Sequence, residues 1–339
     1  MAAHPESPGA ALYADEALSS TMSPQQLAPQ LPVANEPSAR PALHGSPPPR
    51  TDDGAVPART LAAAGMEWGL DEAMDYDAYV MAIDREQDGH ELVVLTGRVA
   101  RYRESVVEWM VPLMNSLLGY GSEAVFATVR YFDQVLHACH VSKRRVQLVA
   151  LTCMLVAGKM FESKKVPSLE TLNQLAGYQY TPDAILAMEG NILHTLSWKL
   201  RVVTPLFFWG YFASFGVCPD EDSIHGLQLT PASAAQYSRA LRKVSHTILA
   251  EICLLSMAFL DCMPSMTASA ALLVARNKLG IAPDWAPRFQ VRIGYSRSDV
   301  AVSAAKLSLL FDEKFPSGSP SLTTPPSVES VSWSTSATQ

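Results

Sequence analysis

Apolar residues between positions 76 and 315 recur every three or four residues, which is the spacing of one face of an α-helix. No long run alternates apolar and polar residues in the way a half-buried strand does. A short amphipathic lead helix is predicted at Tyr76 to Gln87, ahead of a longer series of helical segments. The pattern therefore predicts an all-α protein.

Five further helices are predicted in the first half, from their apolar faces and from capping residues such as Ser122, Ser142 and Thr181. Their expected positions are Arg101 to Leu118, Ser122 to Cys139, Ser142 to Met160, a short helix after Ser168, and Thr181 to Trp198. The first should place Met114 and Leu117 on its inner face, although Pro112 should kink or break it. The third is apolar or small from Val146 to Met160, so it should be a central helix surrounded by the others.

The same order of elements begins again after Thr204 and Pro205. A short helix, a polar loop, a long helix, a central helix, a short element near Arg288 and a last helix to Lys314 are predicted. The run from Leu148 to Lys159 can be laid over the run from Met266 to Asn277, 118 residues later. This indicates two tandem five-helix repeats, at 101–200 and 201–315, behind a lead segment at 66–100.

Two terminal segments contain too few aliphatic and aromatic residues to form a core. Residues 1–65 and 316–339 are rich in proline and serine and are predicted to be disordered. Candidate phosphorylation sites of proline-directed kinases lie in them, at Ser7, Ser23, Ser46, Ser319 and Thr324. The segment SLTTPPSVES partly resembles a phosphodegron, which would recruit ubiquitin-ligase adaptors, and the alternative is an inert solvated tail.

Composition excludes several classes of function. The net charge of -7 and the pI near 5.6 disfavour a nucleic-acid binder. Five cysteines, three of them in apolar helical runs, favour free thiols in a reducing compartment, and the spacing of His137, Cys139 and His140 does not suit a metal site. Neither a leader peptide nor an apolar run of about 18 residues is present, so we expect no membrane contact and a location in the nucleus, the cytoplasm or both.

Two charges interrupt otherwise apolar helices at Lys159 and Glu189. Burying an unpaired charge is costly, so each is expected at the rim of a groove, where it would meet a partner. The alternatives are a solvated lysine at a helix C-terminus and an ordinary surface glutamate. Because no P-loop, nucleophile elbow or H-E-x-x-H motif occurs, we expect a docking protein rather than an enzyme, with no cofactor and no small-molecule substrate.

Several separate motifs then resemble the cyclin family. They are YRESVVEW at Tyr102 to Trp109, YFDQVL at Tyr131 to Leu136, QLVALTCMLVAGK at Gln147 to Lys159, and ME-x-x-IL-x-x-L-x-W at Met188 to Trp198. The segments TCMLVAGKMFE and LRVVTP are most similar to D-type cyclins, although no Leu-x-Cys-x-Glu motif is present. The resemblance implies two cyclin boxes and a cyclin-dependent protein kinase as heterodimer partner.

The resemblance also assigns roles to residues. Arg103 and Asp133 would form a structural ion pair, while Leu148, Trp109 and Trp198 would be core residues. The kinase-binding residues would be Lys159, Glu189, Val156, Leu193, Leu200 and Glu162, and core packing is an equal alternative for the apolar ones. Since Asn277 replaces the lysine in the second repeat, kinase contact would be confined to the first.

Cyclins of the A, B and D types also carry a substrate-docking patch, which is altered here. The patch positions are Tyr102, Ser105, Val106, Trp109, Pro112 and Gln147, and we expect weak or altered recognition of Arg-x-Leu peptides. The implied function is allosteric activation of a serine/threonine kinase in cell-cycle control. The alternatives are a transcriptional-type cyclin and a cyclin-fold transcription factor that acts as an adaptor.

Overall fold

The computed structural model describes residues 76–89, 93–95, 97–162 and 164–316. The predicted N-terminal arm, and the predicted tail apart from its first residue, lie outside these ranges. So do the candidate phosphorylation sites Ser7, Ser23, Ser46, Ser319 and Thr324. No helix within the described ranges is both long and apolar enough to cross a membrane.

The lead helix and the first repeat follow the predicted order of elements. The helices are α1 (Tyr76–Gly89), α2 (Gly97–Pro112), α3 (Ser122–Ala138), α4 (Lys143–Phe161), α5 (Leu169–Leu175) and α6 (Pro182–Thr195). Ser168 and Thr181 cap α5 and α6, accepting hydrogen bonds from the backbone N–H groups of Thr171 and Ala184. Side-chain caps expected from Ser122 and Ser142 do not form, since Ser122 is already the first helical residue and Ser142 accepts no such bond.

The second repeat again contains five helices among the described residues. They are α7 (Pro205–Ser214), α8 (Pro231–Ile248), α9 (Pro264–Lys278), α10 (Pro287–Ile293) and α11 (Arg297–Lys314). Three strands of two residues each, β1 (Ser223–Ile224), β2 (Leu227–Gln228) and β3 (Ile281–Ala282), pair antiparallel in the order β2-β1-β3, with Ser223 opposite both Gln228 and Ala282. Strands β1 and β2 lie in the predicted polar loop, whereas β3 lies between α9 and α10. The all-α class with two tandem repeats is confirmed.

Pro112 ends α2 and is followed by a π-helical turn at Leu113–Leu118. The kink or break predicted at this proline takes the form of a change from α-helical to π-helical hydrogen bonding. A π-helical turn takes more residues per turn than an α-helix, so it changes which side chains face the core. Met114 remains buried, but Leu117 is 66% exposed and its predicted inward position is wrong.

The two central helices are buried along most of their length. Every residue from Val146 to Gly158 of α4 is buried, as is every residue from Thr267 to Arg276 of α9. Hydroxyl groups inside them are satisfied within the helix, since Thr152 Oγ1 donates to the Leu148 carbonyl oxygen at 2.8 Å. These helices meet the prediction of a central helix in each repeat.

A buried ion pair joins α2 and α3 and extends to the second repeat. Arg103 forms two hydrogen bonds of 2.9 Å with the Asp133 carboxylate, and both side chains are at most 4% exposed. The same guanidinium donates to the carbonyl oxygens of Leu254 and Leu255, which follow α8 in the second repeat. One arginine therefore ties together two helices of one repeat and the backbone of the other.

The second repeat has its own buried cluster of charges. Arg276 of α9 and Arg288 of α10 both pair with Asp222, at 2.9 Å and 2.6 Å. Although burial opposes ionisation, the hydrogen bonds from both arginines hold the pKa of Asp222 below its ordinary value. This cluster fixes the loop before β1 against the central helix.

Helix α1 packs against the second repeat. Its Tyr79 ring stacks on Tyr211 with 4.6 Å between ring centroids, and its hydroxyl donates to the Ile293 carbonyl at 2.8 Å. The Glu86 carboxylate accepts a 2.7 Å hydrogen bond from the backbone N–H of Ser265 in the first turn of α9. Burial raises the pKa of Glu86, and the hydrogen bonds from Ser265 partly oppose this effect.

Gly158 allows a close approach at the end of α4. A Cβ atom there would overlap the Tyr120 hydroxyl and lie 3.2 Å from Pro167 Cδ. Tyr120 is buried and cannot move away easily, because its hydroxyl donates to the Met154 carbonyl at 2.9 Å. Gly190 of α6, by contrast, has nothing within 4 Å of its Cβ direction.

We expect Arg103→Met to lower the free energy of unfolding by about 3–5 kcal/mol, because it leaves the buried Asp133 carboxylate without a counter-charge. Lys278→Met provides the control, since the Lys278–Asp312 pair is partly exposed and should contribute no more than about 1 kcal/mol. Urea unfolding of both variants measures the difference. Equal losses in the two variants would contradict this role for Arg103.

Two glycine substitutions should have opposite effects on stability. Gly158→Ala should lower the free energy of unfolding by about 1–3 kcal/mol through overpacking against Tyr120. Gly190→Ala should raise it by up to about 1 kcal/mol, because alanine is the better helix former and has free space there. Thermal and urea unfolding would test the pair, and a stabilised Gly158→Ala protein would refute the close approach.

Candidate functional site

Lys159 and Glu189, which the sequence singled out separately, form an ion pair with each other. Lys159 lies in the last turn of α4 and Glu189 in α6, and the Lys159 Nζ atom donates to both carboxylate oxygens, at 2.6 Å and 2.8 Å. The side chains are 48% and 13% exposed, so the pair is at the surface. Exposed ion pairs contribute only about 0.2–1 kcal/mol, so this pair adds little to stability.

The two charges also suit their places in the fold. Lys159 lies at the C-terminal end of α4, where the partial negative charge of the helix dipole favours a cation. An ammonium group has three donors and a carboxylate has about four acceptor sites. Both residues therefore retain hydrogen-bonding capacity toward a partner after pairing with each other.

Apolar side chains are exposed beside the ion pair. Leu186, Glu189, Gly190 and Leu193 have the i, i+3, i+4, i+7 spacing of a single face of α6. Leu186 is 46% exposed, and Leu193 is half-buried. The α4–α6 surface is defined here as Lys159, Met160, Leu186, Glu189, Leu193 and Trp198.

Trp198 was predicted to be a core residue, and this is wrong because its side chain is 71% exposed. Helix α6 ends at Thr195, and Ser197 and Trp198 both adopt positive φ angles of 50° and 60°. The Trp198 N–H donates to the Leu193 carbonyl at 3.0 Å, which holds the turn against the helix end. The indole ring is therefore exposed to solvent just after the C-terminal end of α6.

The other predicted kinase-binding residues occupy different environments. Val156 is 2% exposed, so its side chain belongs to the core of the first repeat rather than to a groove, because it faces inward from the central helix. Leu200 is half-buried, and its carbonyl oxygen accepts a hydrogen bond from the Tyr131 hydroxyl. Glu162 accepts a hydrogen bond from the Gly121 N–H, which ties the end of α4 to the start of α3.

The sequence did not single out Leu186 and Met160, which are exposed on the α4–α6 surface. The i, i+3, i+4, i+7 spacing of Leu186 to Leu193 is a pattern that would have identified the face of α6. No comparable pattern identifies Trp198, since its exposure depends on the backbone turn after the helix.

The positions of the altered substrate-docking patch divide between core and surface. Val106 is 2% exposed and cannot contribute to a surface patch, which corrects its assignment, and Tyr102 and Trp109 are half-buried. Ser105 and Pro112 are exposed. Gln147 is buried at the edge of the patch, where its side-chain oxygen accepts a 3.3 Å hydrogen bond from the Tyr180 hydroxyl.

Leu148 is buried, as a core residue would be, and packs in a small cluster with Leu151, Leu155, Leu172 and Ile185. Trp109 packs against both this cluster and the main core. The Arg103–Asp133 pair lies below the surface and takes no part in the α4–α6 surface.

The described residues contain no group of three or more His, Cys, Asp or Glu side chains placed to hold a metal ion. His137 Nδ1 lies 3.0 Å from the Val94 carbonyl oxygen, whereas Cys139 Sγ lies 3.7 Å from Thr195 Oγ1. Burial raises the pKa of the Cys153 and Cys253 thiols, which disfavours the reactive thiolate form.

The second repeat places a similar ion pair at a different register. Asn277, at the position equivalent to Lys159, is exposed and uncharged. Lys278, one residue later, pairs with Asp312 of α11 at 2.5 Å. The two repeats thus share the link between the central and the last helix but present different residues around it.

Comparisons with known proteins agree on one family. The cyclin N-terminal domain matches residues 88–201, and the cyclin C-terminal domain matches residues 204–319. A Cyclin-D of Ostreococcus tauri is 28% identical over 68% of this chain, and the G2/mitotic-specific cyclin S13-6 of Glycine max is 28% identical over 67%. The chain spans 62% and 45% of the lengths of these two relatives.

A solved structure supports the same fold. The X-ray structure of a viral cyclin from Herpesvirus saimiri matches with a TM-score of 0.52 and 15% identity, covering 70% of this chain and 97% of that one. The sequence thus matches the N-terminal cyclin domain over the first helical repeat and the C-terminal cyclin domain over the second. This chain is a member of the cyclin family.

Proposed function

We propose that this chain is the non-catalytic regulatory subunit of a cyclin-dependent serine/threonine kinase, and that it binds the regulatory helix of the kinase through the α4–α6 surface. The observation that carries the proposal is the surface Lys159–Glu189 ion pair, together with the exposed Leu186 one turn before Glu189 in α6 and the exposed Trp198 just after that helix. An exposed apolar face with charged groups at its edge is suited to receive a helix from a partner.

The two kinds of residue would contribute differently. Trp198, as a large exposed aromatic side chain, has the character of an interface hot spot whose burial supplies affinity. Lys159 and Glu189 would use their remaining donors and acceptors to bind backbone groups of the partner and so fix its register. Affinity and orientation would thus come from neighbouring parts of a single surface.

Activation would follow from differential binding. A kinase whose regulatory helix lies out of place lacks the Lys–Glu ion pair and metal site that phosphoryl transfer needs. A subunit that binds only the ordered arrangement shifts the equilibrium toward it. Moving the equilibrium from 1:99 to 99:1 takes about 5.5 kcal/mol, which an interface of ordinary size can supply.

A role in cell division is the finer part of the proposal. It is supported by the names of the relatives, which are a Cyclin-D and a G2/mitotic-specific cyclin. Nuclear or cytoplasmic location, expected from the sequence, accords with that role.

Exchange of the two charges provides the sharpest test of kinase docking. Lys159→Glu combined with Glu189→Lys keeps an ion pair between α4 and α6, but it reverses the groups offered to a partner. We expect the exchanged protein to unfold at the same temperature within a few degrees, because an exposed pair contributes little. Its affinity for a purified cyclin-dependent kinase should fall at least about tenfold, as measured by calorimetry.

The matched control is the exchange Lys278→Glu with Asp312→Lys, which alters the corresponding pair of the second repeat. This variant should bind the kinase with wild-type affinity. If the Lys159 and Glu189 exchange also binds and activates the kinase normally, the pair serves only to join α4 and α6, and the docking proposal fails.

Trp198→Ala should separate binding from stability. Because the indole is 71% exposed, its removal should change the free energy of unfolding by no more than about 0.5 kcal/mol. Kinase affinity should fall by about 2 kcal/mol or more if the ring is buried in the complex. Leu309→Ala, at an equally exposed apolar position of α11, is the control and should leave both quantities unchanged.

A further inference from the structure

A basic face runs along α8 in the second repeat. Arg239, Arg242, Lys243 and His246 have the i, i+3, i+4, i+7 spacing that places side chains on one side of a helix. The buried residues Tyr237, Leu241, Val244 and Ile248 lie on the other side. No Asp or Glu occurs between Pro231 and Ile248, although the whole chain carries a net charge of -7. Arg239, Arg242 and Lys243 are called the α8 basic face, because burial lowers the pKa of His246 and so disfavours its charged form.

Arg242 lies at the centre of this face and is half-buried. Its guanidinium carbon is 6.0 Å from the centroid of the Trp209 ring, on α7. The Trp209 ring is held in place because its Nε1 donates to Ser245 Oγ at 2.7 Å, and the His246 ring lies 5.2 Å from it. Burial lowers the pKa of Arg242, so part of its hydration has been lost.

Within the described part of the chain, no carboxylate pairs with Arg242 to make up for its lost hydration. Arg239, Arg242 and Lys243 make no ion pair there, whereas Arg276, Arg288 and Arg297 of the same repeat all pair with carboxylates. An arginine that is half desolvated, positioned on an aromatic ring and left without a counter-ion is well suited to bind an anion. A guanidinium can bind a phosphate group through two parallel hydrogen bonds.

The C-terminal segment of this chain begins close to the α8 basic face. Lys314, at the end of α11, donates to the Glu251 carbonyl at 2.7 Å, and Glu251 lies just beyond α8. Arg242 is nine residues before Glu251, roughly 13 Å along a helix axis. Thr324 is ten residues after Lys314, and an extended chain of that length reaches about 33 Å. The segment is therefore long enough to reach Arg242.

The charge of that segment depends on phosphorylation. Residues 317–339 contain a single acidic residue, Glu329, and no Lys or Arg. Ser319 and Thr324 each precede proline, the minimal site of proline-directed kinases. Each phosphoryl group would add a charge of about -1.5 to -2, which would change a nearly neutral segment into one complementary to the α8 basic face.

We propose that the α8 basic face is a phosphate-binding site for the C-terminal segment of the same chain, phosphorylated at Ser319 or Thr324, with Arg242 and Lys243 holding the phosphoryl group. Phosphorylation would then fold the segment back onto the second repeat. The proposal concerns a different repeat from the α4–α6 surface and does not depend on kinase docking there.

The test uses the full-length, unphosphorylated protein and a fluorescent peptide of residues 315–330. We expect the peptide phosphorylated at Thr324 to bind at least about tenfold more tightly than the unphosphorylated one, as measured by fluorescence anisotropy at low salt. Arg242→Ala should remove this difference. Arg292→Ala should retain it, because Arg292 also lies on an aromatic ring, 5.0 Å from the Phe215 centroid, but on α10.

A second arm tests whether the segment binds within its own chain. Full-length protein phosphorylated on Thr324 should bind the added phosphopeptide at least about tenfold more weakly, because its own segment occupies the site at a high effective concentration. Undiminished binding would overturn the intramolecular proposal. Equal binding of an unrelated phosphopeptide of the same charge, or unchanged binding by Arg242→Ala, would also overturn it.

Discussion

The buried Arg103 side chain is the interaction on which the arrangement of the molecule depends. It neutralises Asp133, crosses from α2 to α3, and satisfies two carbonyl groups that follow α8. A buried ion pair is costly to desolvate and offers stability only when its geometry is complete. Because the guanidinium also uses the Leu254 and Leu255 carbonyl oxygens as acceptors, the same side chain links the α2–α3 pair to the backbone of the second repeat.

The two repeats pack in the same way but are held by different buried ion pairs. Each surrounds a central helix of small and apolar residues, α4 in one and α9 in the other. The second repeat has the Arg276–Asp222–Arg288 cluster within its own core, whereas the anchor of the first repeat also reaches the second. The two repeats therefore share a fold but have different surfaces. The first repeat carries the α4–α6 surface, and the second carries the α8 basic face.

The residues of the α4–α6 surface contribute little to the stability of the fold but are well placed to bind a partner. Its ion pair is exposed and contributes little to folding, and its tryptophan is held outside the core by a left-handed turn. Residues at positive φ cost energy and persist only where the surrounding structure holds them, and such positions cluster at functional sites. Stability is supplied instead by buried parts of the chain, such as Arg103 and the contact of Tyr120 with Gly158.

Helical periodicity by itself determined the all-α class, the two repeats and most helix boundaries, because burial of one face must follow the 3.6-residue period. The same pattern identified Lys159 and Glu189 as unusual, since charges rarely occur in apolar helices, whereas the ion pair of Arg103 and Asp133 was expected only from the resemblance to cyclins. Only the tertiary structure decided that Trp198 faces solvent and that Val106 is buried. It also decided between the groove and the core for Val156, which is buried. These outcomes depend on where a helix ends, how its last turn bends and which neighbour covers it, and such long-range contacts are not encoded in any local pattern.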